Sequence, residues 1–203
     1  MKFIIHLIFV TFLAGLTSFQ TGTVTSDKKI RVVIDAGHGG EDNGAVYNEI
    51  NEKEITEAIS RKVKFLNFDK SIEVIVLREK DEFLSLSDRV TKINELNPDL
   101  VISLHLNSNK DTTINGFETY VGEKNNFNDQ SMKVAESLLK SAPKSLQKQE
   151  VKKANLYILN NVTCPAVLIE MGYVTNSHDR EFLSSQLGQQ RIAETIVKTV
   201  KAK

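Results

Sequence analysis

What most constrains this chain is an alternation of two hydrophobic periods. From residue 30 onward, short runs of apolar and β-branched residues take turns with stretches whose apolar residues recur every three or four positions. Residues 30–35 (IRVVID), 71–77 (SIEVIVL) and 100–104 (LVISL) are near-continuous apolar runs of strand length, as in strands buried on both faces. Residues 116–121 (GFETYV) read as a strand with mixed faces, and 156–159 and 166–169 as two further short strands. Residues 52–66 place Ile55, Ile59, Val63 and Leu66 on one helical face, and a second helix carries Leu86, Val90 and Ile93 and ends at Asn97-Pro98. Met132, Ala135, Leu138 and Leu139 define a third helix, stopped near Pro143; residues 181–200 form a last one, with Ile192, Ile196 and Val200 in register. Residues 122–129 are the most loop-like, and 143–155, rich in lysine and glutamine with no apolar face, read as a solvated loop. This alternation predicts an α/β fold: a single domain over residues 30–203, with a mostly parallel central sheet flanked by helices. A chain of 203 residues can bury a sizeable core without cross-links.

The first twenty residues differ in kind. Lys2 precedes an apolar run over residues 3–16, interrupted by His6 and Thr11, and small and polar residues follow over 17–26. This is the composition of a secretory signal, here residues 1–20, and the run is short for a membrane span. No pair of small residues marks the cleavage point, and a retained anchor is the alternative. The segment has no cysteine for lipid attachment. The expectation is an exported protein of the periplasm, cell envelope or medium, with no stable membrane insertion once the signal is removed. Basic and acidic residues number 26 each, so no charge excess points to nucleic acid. The one cysteine, Cys164, excludes an internal disulfide and a cysteine-rich zinc site; before Pro165 it reads as a small buried apolar residue.

In a parallel sheet, ligands bind beyond the carboxyl ends of the strands. After IRVVID come Ala36-Gly37-His38-Gly39-Gly40, after LVISL comes His105, and after AVLI comes Glu170. Glu52 opens the helix that follows the first of these loops. Zinc favours imidazole nitrogen and carboxylate oxygen, and a catalytic site takes three such ligands and keeps a fourth position for water. His38, Glu52 and His105 supply that set, leaving Glu170 as a carboxylate that can move a proton. The glycines around His38 would let the backbone turn tightly. A phosphate cradle is the competing use of such a loop, but GxxxxGK[ST] and GxGxxG are both missing. Glu49 and Glu54 stand close to Glu52 in sequence, and residue types alone leave the choice among them open.

Five segments, VVIDAGHGGEDNGAV, NEKEI, ISLHLNS, GFETYV and CPAVLIEMGYVTN, occur in this order. Together they resemble the N-acetylmuramoyl-L-alanine amidases of the zinc-dependent cell-wall type, amidase type 3, from about residue 30 to near the C-terminus. The resemblance implies Zn2+ held by His38, Glu52 and His105, and Glu170 as the catalytic carboxylate. It further implies a peptidoglycan substrate, cut between N-acetylmuramic acid and L-alanine. Two departures stand out: the family's EKD-like triplet reads Glu52-Lys53-Glu54, and its SIHAN segment reads SLHLN, with Leu106 expected to narrow the site. A zinc peptidase cutting within the stem peptide and a catalytically silent wall-binding module are the rival functions.

Around this set, Arg78 at the end of VLREKD is read as orienting Glu170, meeting a substrate carboxylate or forming a surface ion pair. Asp35 is read as supporting His38 or its turn. Asn107 and Asn176 read as turn or cap residues, and His178 as a solvated residue at a helix start. Some amidases of this kind carry an extra helix that covers the zinc until a partner protein removes it. Between His105 and Glu170 the predicted elements leave no room for one, so no activating partner is expected.

Overall fold

The structure is a computed structural model that describes residues 29–202; the expected export signal, residues 1–20, lies outside the described residues. In chain order the elements are β1 (Ile30–Ala36), β2 (Val46–Tyr47), β3 (Ile50–Asn51), α1 (Glu52–Leu66), β4 (Ile72–Val76), α2 (Leu86–Leu96), β5 (Leu100–Asn107), β6 (Phe117–Gly122), α3 (Asn128–Ser141), β7 (Lys148–Ala154), α4 (Tyr157–Asn161), β8 (Ala166–Tyr173), α5 (Ser177–Ser184) and α6 (Gln186–Lys201). Six strands form one sheet in the order β4-β1-β5-β8-β6-β7. The first four run parallel, β6 reverses against β8, and β7 runs parallel to β6. The fold is the single α/β domain that the alternation predicted.

The central strands bury both faces, which is why their sequences lack a polar period. Val32, Ile34, Ile102, Leu104, Ile169 and Met171 pack towards α1, α3 and α6, while Val33, Val101 and Leu168 pack towards α2 and α4. Helix α1 presents Ile55, Ile59 and Val63 to the first layer. Truncating the fully buried Ile59 to alanine would cost about 2–5 kcal/mol. Helix α2 starts where Ser85 Oγ accepts from the Asp88 amide and stops at Asn97, left-handed with φ 46°, before Pro98. No helix among the described residues is long and apolar enough to cross a membrane.

Three expectations fail. Of residues 156–159, read as a strand, Leu156 is the extended residue before α4 and the other three belong to that helix, with Ile158 and Leu159 buried; four consecutive apolar residues fit either structure. Residues 143–155, read as a solvated loop, contain β7. It pairs through one edge only and carries Lys148, Glu150 and Lys153 outward, as an edge strand does, so no apolar face marks it. The helix expected over 181–200 is two helices. Ser185 is extended, at φ −80° and ψ 142°, and its hydroxyl caps α6 by accepting from the Gly188 amide. The apolar spacing runs through this break and so conceals it.

Candidate active site

The site grows from the carboxyl ends of β1, β5 and β8. The Gly37 amide continues the β1–β5 ladder by donating to Leu104 at 3.0 Å, which sets Gly37 beside His105. His105 pairs with Glu170, and Glu170 with Glu118 on β6. Gly37, His105, Glu170 and Glu118 thus form one row on the sheet face that carries α2 and α4. Glycine at 37 is a steric requirement: a Cβ there would lie 2.4 Å from His105 Cε1.

Between β1 and α1 the chain first brings His38 over the row, with φ 58°, and then forms the β2–β3 hairpin. Asn48 and Glu49 both have positive φ at its turn, and the hairpin delivers Glu52 as the first residue of α1. Gly44, at φ +64°, lets the loop pass close to both: a Cβ would sit 2.5 Å from Glu52 Oε2 and 2.6 Å from His38 Cδ2. Glu52 Oε1 lies 3.1 Å from His38 Nε2 and 2.9 Å from His105 Nδ1, and also accepts from the Leu106 amide at 2.9 Å. Its Oε2 accepts from the Ala45 amide at 2.8 Å. Glu52, not Glu49 or Glu54, is therefore the carboxylate that joins the two histidines. One ligand atom from each of the three lies within 4.8 Å of the others. Two imidazoles and a carboxylate so placed fit a divalent metal of the zinc type.

Electrostatics follow from this crowding. Burial raises the Glu52 pKa, but hydrogen bonds from His105 and His38 outweigh it and hold the group at about 2. Burial lowers the His38 pKa, but Glu52 and Asp42 outweigh it and lift the group to about 9. Glu170 behaves in the opposite way. It is partly exposed as a residue, yet its Oε2 is shielded from solvent and accepts no hydrogen bond among the described residues. Burial, only partly offset by the charge of His105, lifts its pKa to about 7.

Two buried arginines hold the loop. Arg78, fully buried, donates to the carbonyls of Ala36 at 3.1 Å, Gly37 at 3.1 Å and Lys53 at 2.9 Å, and pairs with Glu57 at 2.8 Å. Of the readings of Arg78, a partner of Glu170 and a substrate contact are thus corrected, and the ion pair is present, with Glu57, but made from a buried position and not at the surface. The donors of Arg78 go to backbone carbonyls beneath the loop and to the Glu57 carboxylate. Arg89 pairs with Asp35 at 2.5 Å and donates to the carbonyls of Ala36 at 2.8 Å and His38 at 2.6 Å. Asp35 also accepts from Ser103 at 2.8 Å, so it reaches His38 only through Arg89. The side chain that meets the other ring nitrogen of His38, away from Glu52, is Asp42, 2.8 Å from Nδ1. Leu106 does not narrow the site, because its side chain packs into the core on the other face. Asn176 caps α5 by accepting from the His178 and Asp179 amides, Asn107 accepts from the Ser108 amide at 2.8 Å, and the His178 side chain is exposed.

Residues 32–202 match the family model described as N-acetylmuramoyl-L-alanine amidase. The chain belongs to that amidase family. A relative in Bacillus subtilis, the uncharacterized protein YqiI, is 37% identical over 168 residues, covering 82% of this chain and 81% of the relative. The solved catalytic domain of CwlV, an N-acetylmuramoyl-L-alanine amidase from Bacillus (Paenibacillus) polymyxa, superposes with a TM-score of 0.78 at 32% identity, covering 85% of this chain and 96% of that domain. The CwlD amidase from Clostridioides difficile, solved in complex with the GerS lipoprotein, is 25% identical with a TM-score of 0.77, over 86% of this chain and 98% of its own. Several longer curated relatives are matched over only 34% to 64% of their length.

In this amidase a cavity of about 230 Å³ adjoins the cluster, with Phe83, Leu86, Ile158 and Arg89 facing His38 and His105. A larger groove of about 570 Å³ lies by the end of α3 and along α6, lined by Lys140, Lys144, Lys148 and Lys198. The convergent donor atoms adjoin the smaller one. Sequence reasoning missed Asp42, Arg89 and Glu118 in the amidase site. Asp42 lies four residues from His38 in a loop of polar residues, and Arg89 sits on a helix where charge is ordinary. Only Glu118, charged within a strand, carried a signal.

Proposed function

We propose that this amidase hydrolyses the amide joining the lactyl group of N-acetylmuramic acid to L-alanine in peptidoglycan, and that the reaction depends on zinc. His38, Glu52 and His105 are the ligands and Glu170 is the proton carrier. The observation that carries this reading is the juxtaposition of a His-Glu-His cluster with a desolvated carboxyl on the neighbouring strand. Zinc bound there would bring the pKa of a coordinated water to about 7 and polarise the scissile carbonyl. The chain's own groups do the rest. Asp42 accepts from His38 Nδ1, which leaves Nε2 for the metal. The Ala45 and Leu106 amides fix the Glu52 carboxylate in rotation. Glu170, through Oε2, takes a proton from the attacking water and returns it to the leaving alanine nitrogen. Phe83, Leu86 and Ile158 form an apolar wall against which a sugar or peptide can lie.

The substrate lies outside the cytoplasm, and the composition of residues 1–20 supplies a route there. The elements between His105 and Glu170 are β6, α3, β7 and α4, all packed on the sheet, and this supports activity without an activating partner. The test is digestion of purified peptidoglycan by the chain alone. New L-alanine amino termini without new reducing ends are expected. Amino termini of other stem residues would mean a peptidase, no product would mean a silent module or a missing partner, and new reducing ends would mean a glycosidase.

A further inference from the structure

Glu118 has no place in the scheme above, yet it is 3% exposed and pairs across the antiparallel β6–β8 ladder with Glu170. Like charges directly opposed on two strands destabilise the pair, so both carboxyls are not expected to be served equally. The division is complete. Glu118 Oε1 accepts from Tyr173 at 2.7 Å, and its Oε2 from Tyr120 at 2.6 Å and from Lys152 Nζ at 3.1 Å. Glu170 Oε2, one strand away, accepts none of these donors. The groups that face Glu170 are His105 from β5, Glu118 and Tyr120 from β6, Tyr173 from β8, and beyond them Glu52 and His38. Two of its neighbours are therefore hydroxyl donors, and both point to Glu118. A hydroxyl prefers a charged acceptor to a neutral one, and a carboxylate that accepts two such bonds is a weaker proton acceptor.

We propose that Glu118 is a positioning residue for Glu170: it engages the hydroxyls of Tyr120 and Tyr173 and so leaves the Glu170 carboxyl free to move a proton. Without the Glu118 charge, the tyrosines turn to Glu170 and tie it in place, while Lys152, already 37% exposed along its side chain, returns to solvent. This rests on the proposed role of Glu170.

The test compares Glu118→Gln with the triple variant Glu118→Gln/Tyr120→Phe/Tyr173→Phe in the full chain. Zinc content is measured together with kcat and KM on a soluble muramoyl peptide. Glu118→Gln is expected to keep zinc and KM and to lose roughly ten- to hundred-fold in kcat. The triple variant, which has no hydroxyl left to capture Glu170, recovers most of that loss. A purely structural role predicts the reverse, since two further deletions add damage. Wild-type kcat in Glu118→Gln overturns the proposal, and so does a triple variant as slow as the single one. Should Glu118→Gln fail to fold, the triple variant decides by itself, zinc-loaded and active in one case, zinc-loaded and slow in the other. Glu170→Gln separates the two layers. If it stays active, the role of Glu170 falls; if it is inactive and the triple variant is not rescued, only the role of Glu118 falls.

Discussion

His38 Nε2 stands 3.1 Å from Glu52 Oε1, and the same oxygen receives His105 Nδ1 at 2.9 Å. One carboxylate oxygen thus serves two imidazoles, and a metal must compete with a proton for them. Because His38 is lifted to about 9, zinc binding displaces that proton, and affinity falls as pH is lowered. One zinc per chain is expected by metal analysis, lost on His105→Ala, with activity abolished by a chelator and restored by zinc. Full activity in zinc-free protein would sink the mechanism.

Stability of the metal-free chain has a sign that follows from the same shifts. His38 is raised from 6.5 to about 9, so its contribution is fully present below pH 6.5 and is lost as pH rises through about 9. Glu52 is lowered from 4.5 to about 2, so its contribution is present above pH 4.5 and lost as pH falls through about 2. Glu170 is raised from 4.5 to about 7; folded chains keep its proton longer than unfolded ones, and stability drains away between those values as pH rises. Each unit in that window costs up to about 1.4 kcal/mol. Glu170→Gln removes this last slope alone. Its unfolding midpoint in denaturant, relative to wild type, is expected to be higher at pH 7.5 than at pH 5. The zinc-loaded variant should fold normally and lose about 10²–10⁴-fold in turnover. An unchanged difference between the two pH values would show that Glu170 titrates as an ordinary carboxyl.

The strand ends and the start of α1 were legible because buried parallel strands are apolar throughout and a charged or imidazole residue directly after one is conspicuous. His38, His105 and Glu170 stand out for that reason. Glu52 did not stand apart from Glu49 and Glu54, since the hairpin that selects it depends on positive φ at Asn48 and Glu49, and only asparagine advertises that conformation. Strand β7 was illegible because an edge strand keeps its lysines. Asp42 and Arg89 were illegible because their roles depend on distances across 4 and 54 positions of chain that no periodicity encodes.

Arg89 is the keystone of the loop's underside. Truncating it to alanine leaves Asp35, fully buried, with Ser103 as its remaining side-chain partner, frees the carbonyl of His38 and leaves that of Ala36 to Arg78. An uncompensated buried charge of this kind costs about 3–5 kcal/mol. Urea unfolding of Arg89→Ala should show a loss of that order. Asp35→Asn combined with Arg89→Met should recover part of it, because neither partner then leaves a bare charge. A loss under about 1 kcal/mol, the range of exposed ion pairs, would contradict this account.

Gly37 tests whether the row across the sheet is a steric device for His105. Its own φ lies outside the left-handed region, so alanine is compatible with the backbone and the added methyl acts through contact alone. That methyl would lie 2.4 Å from His105 Cε1, 2.7 Å from Nδ1 and 2.8 Å from Nε2, distances at which the ring must move. The ring carries the Glu52 contact, so its displacement dismantles the cluster before it disturbs the core. Gly37→Ala is expected to fold, to bind zinc far more weakly and to lose activity in proportion. The double variant Gly37→Ala/His105→Ala removes the clash and should regain the stability that the single one loses, while holding no zinc. If Gly37→Ala keeps wild-type zinc affinity, the loop has room to yield, and the glycine serves the turn rather than the histidine.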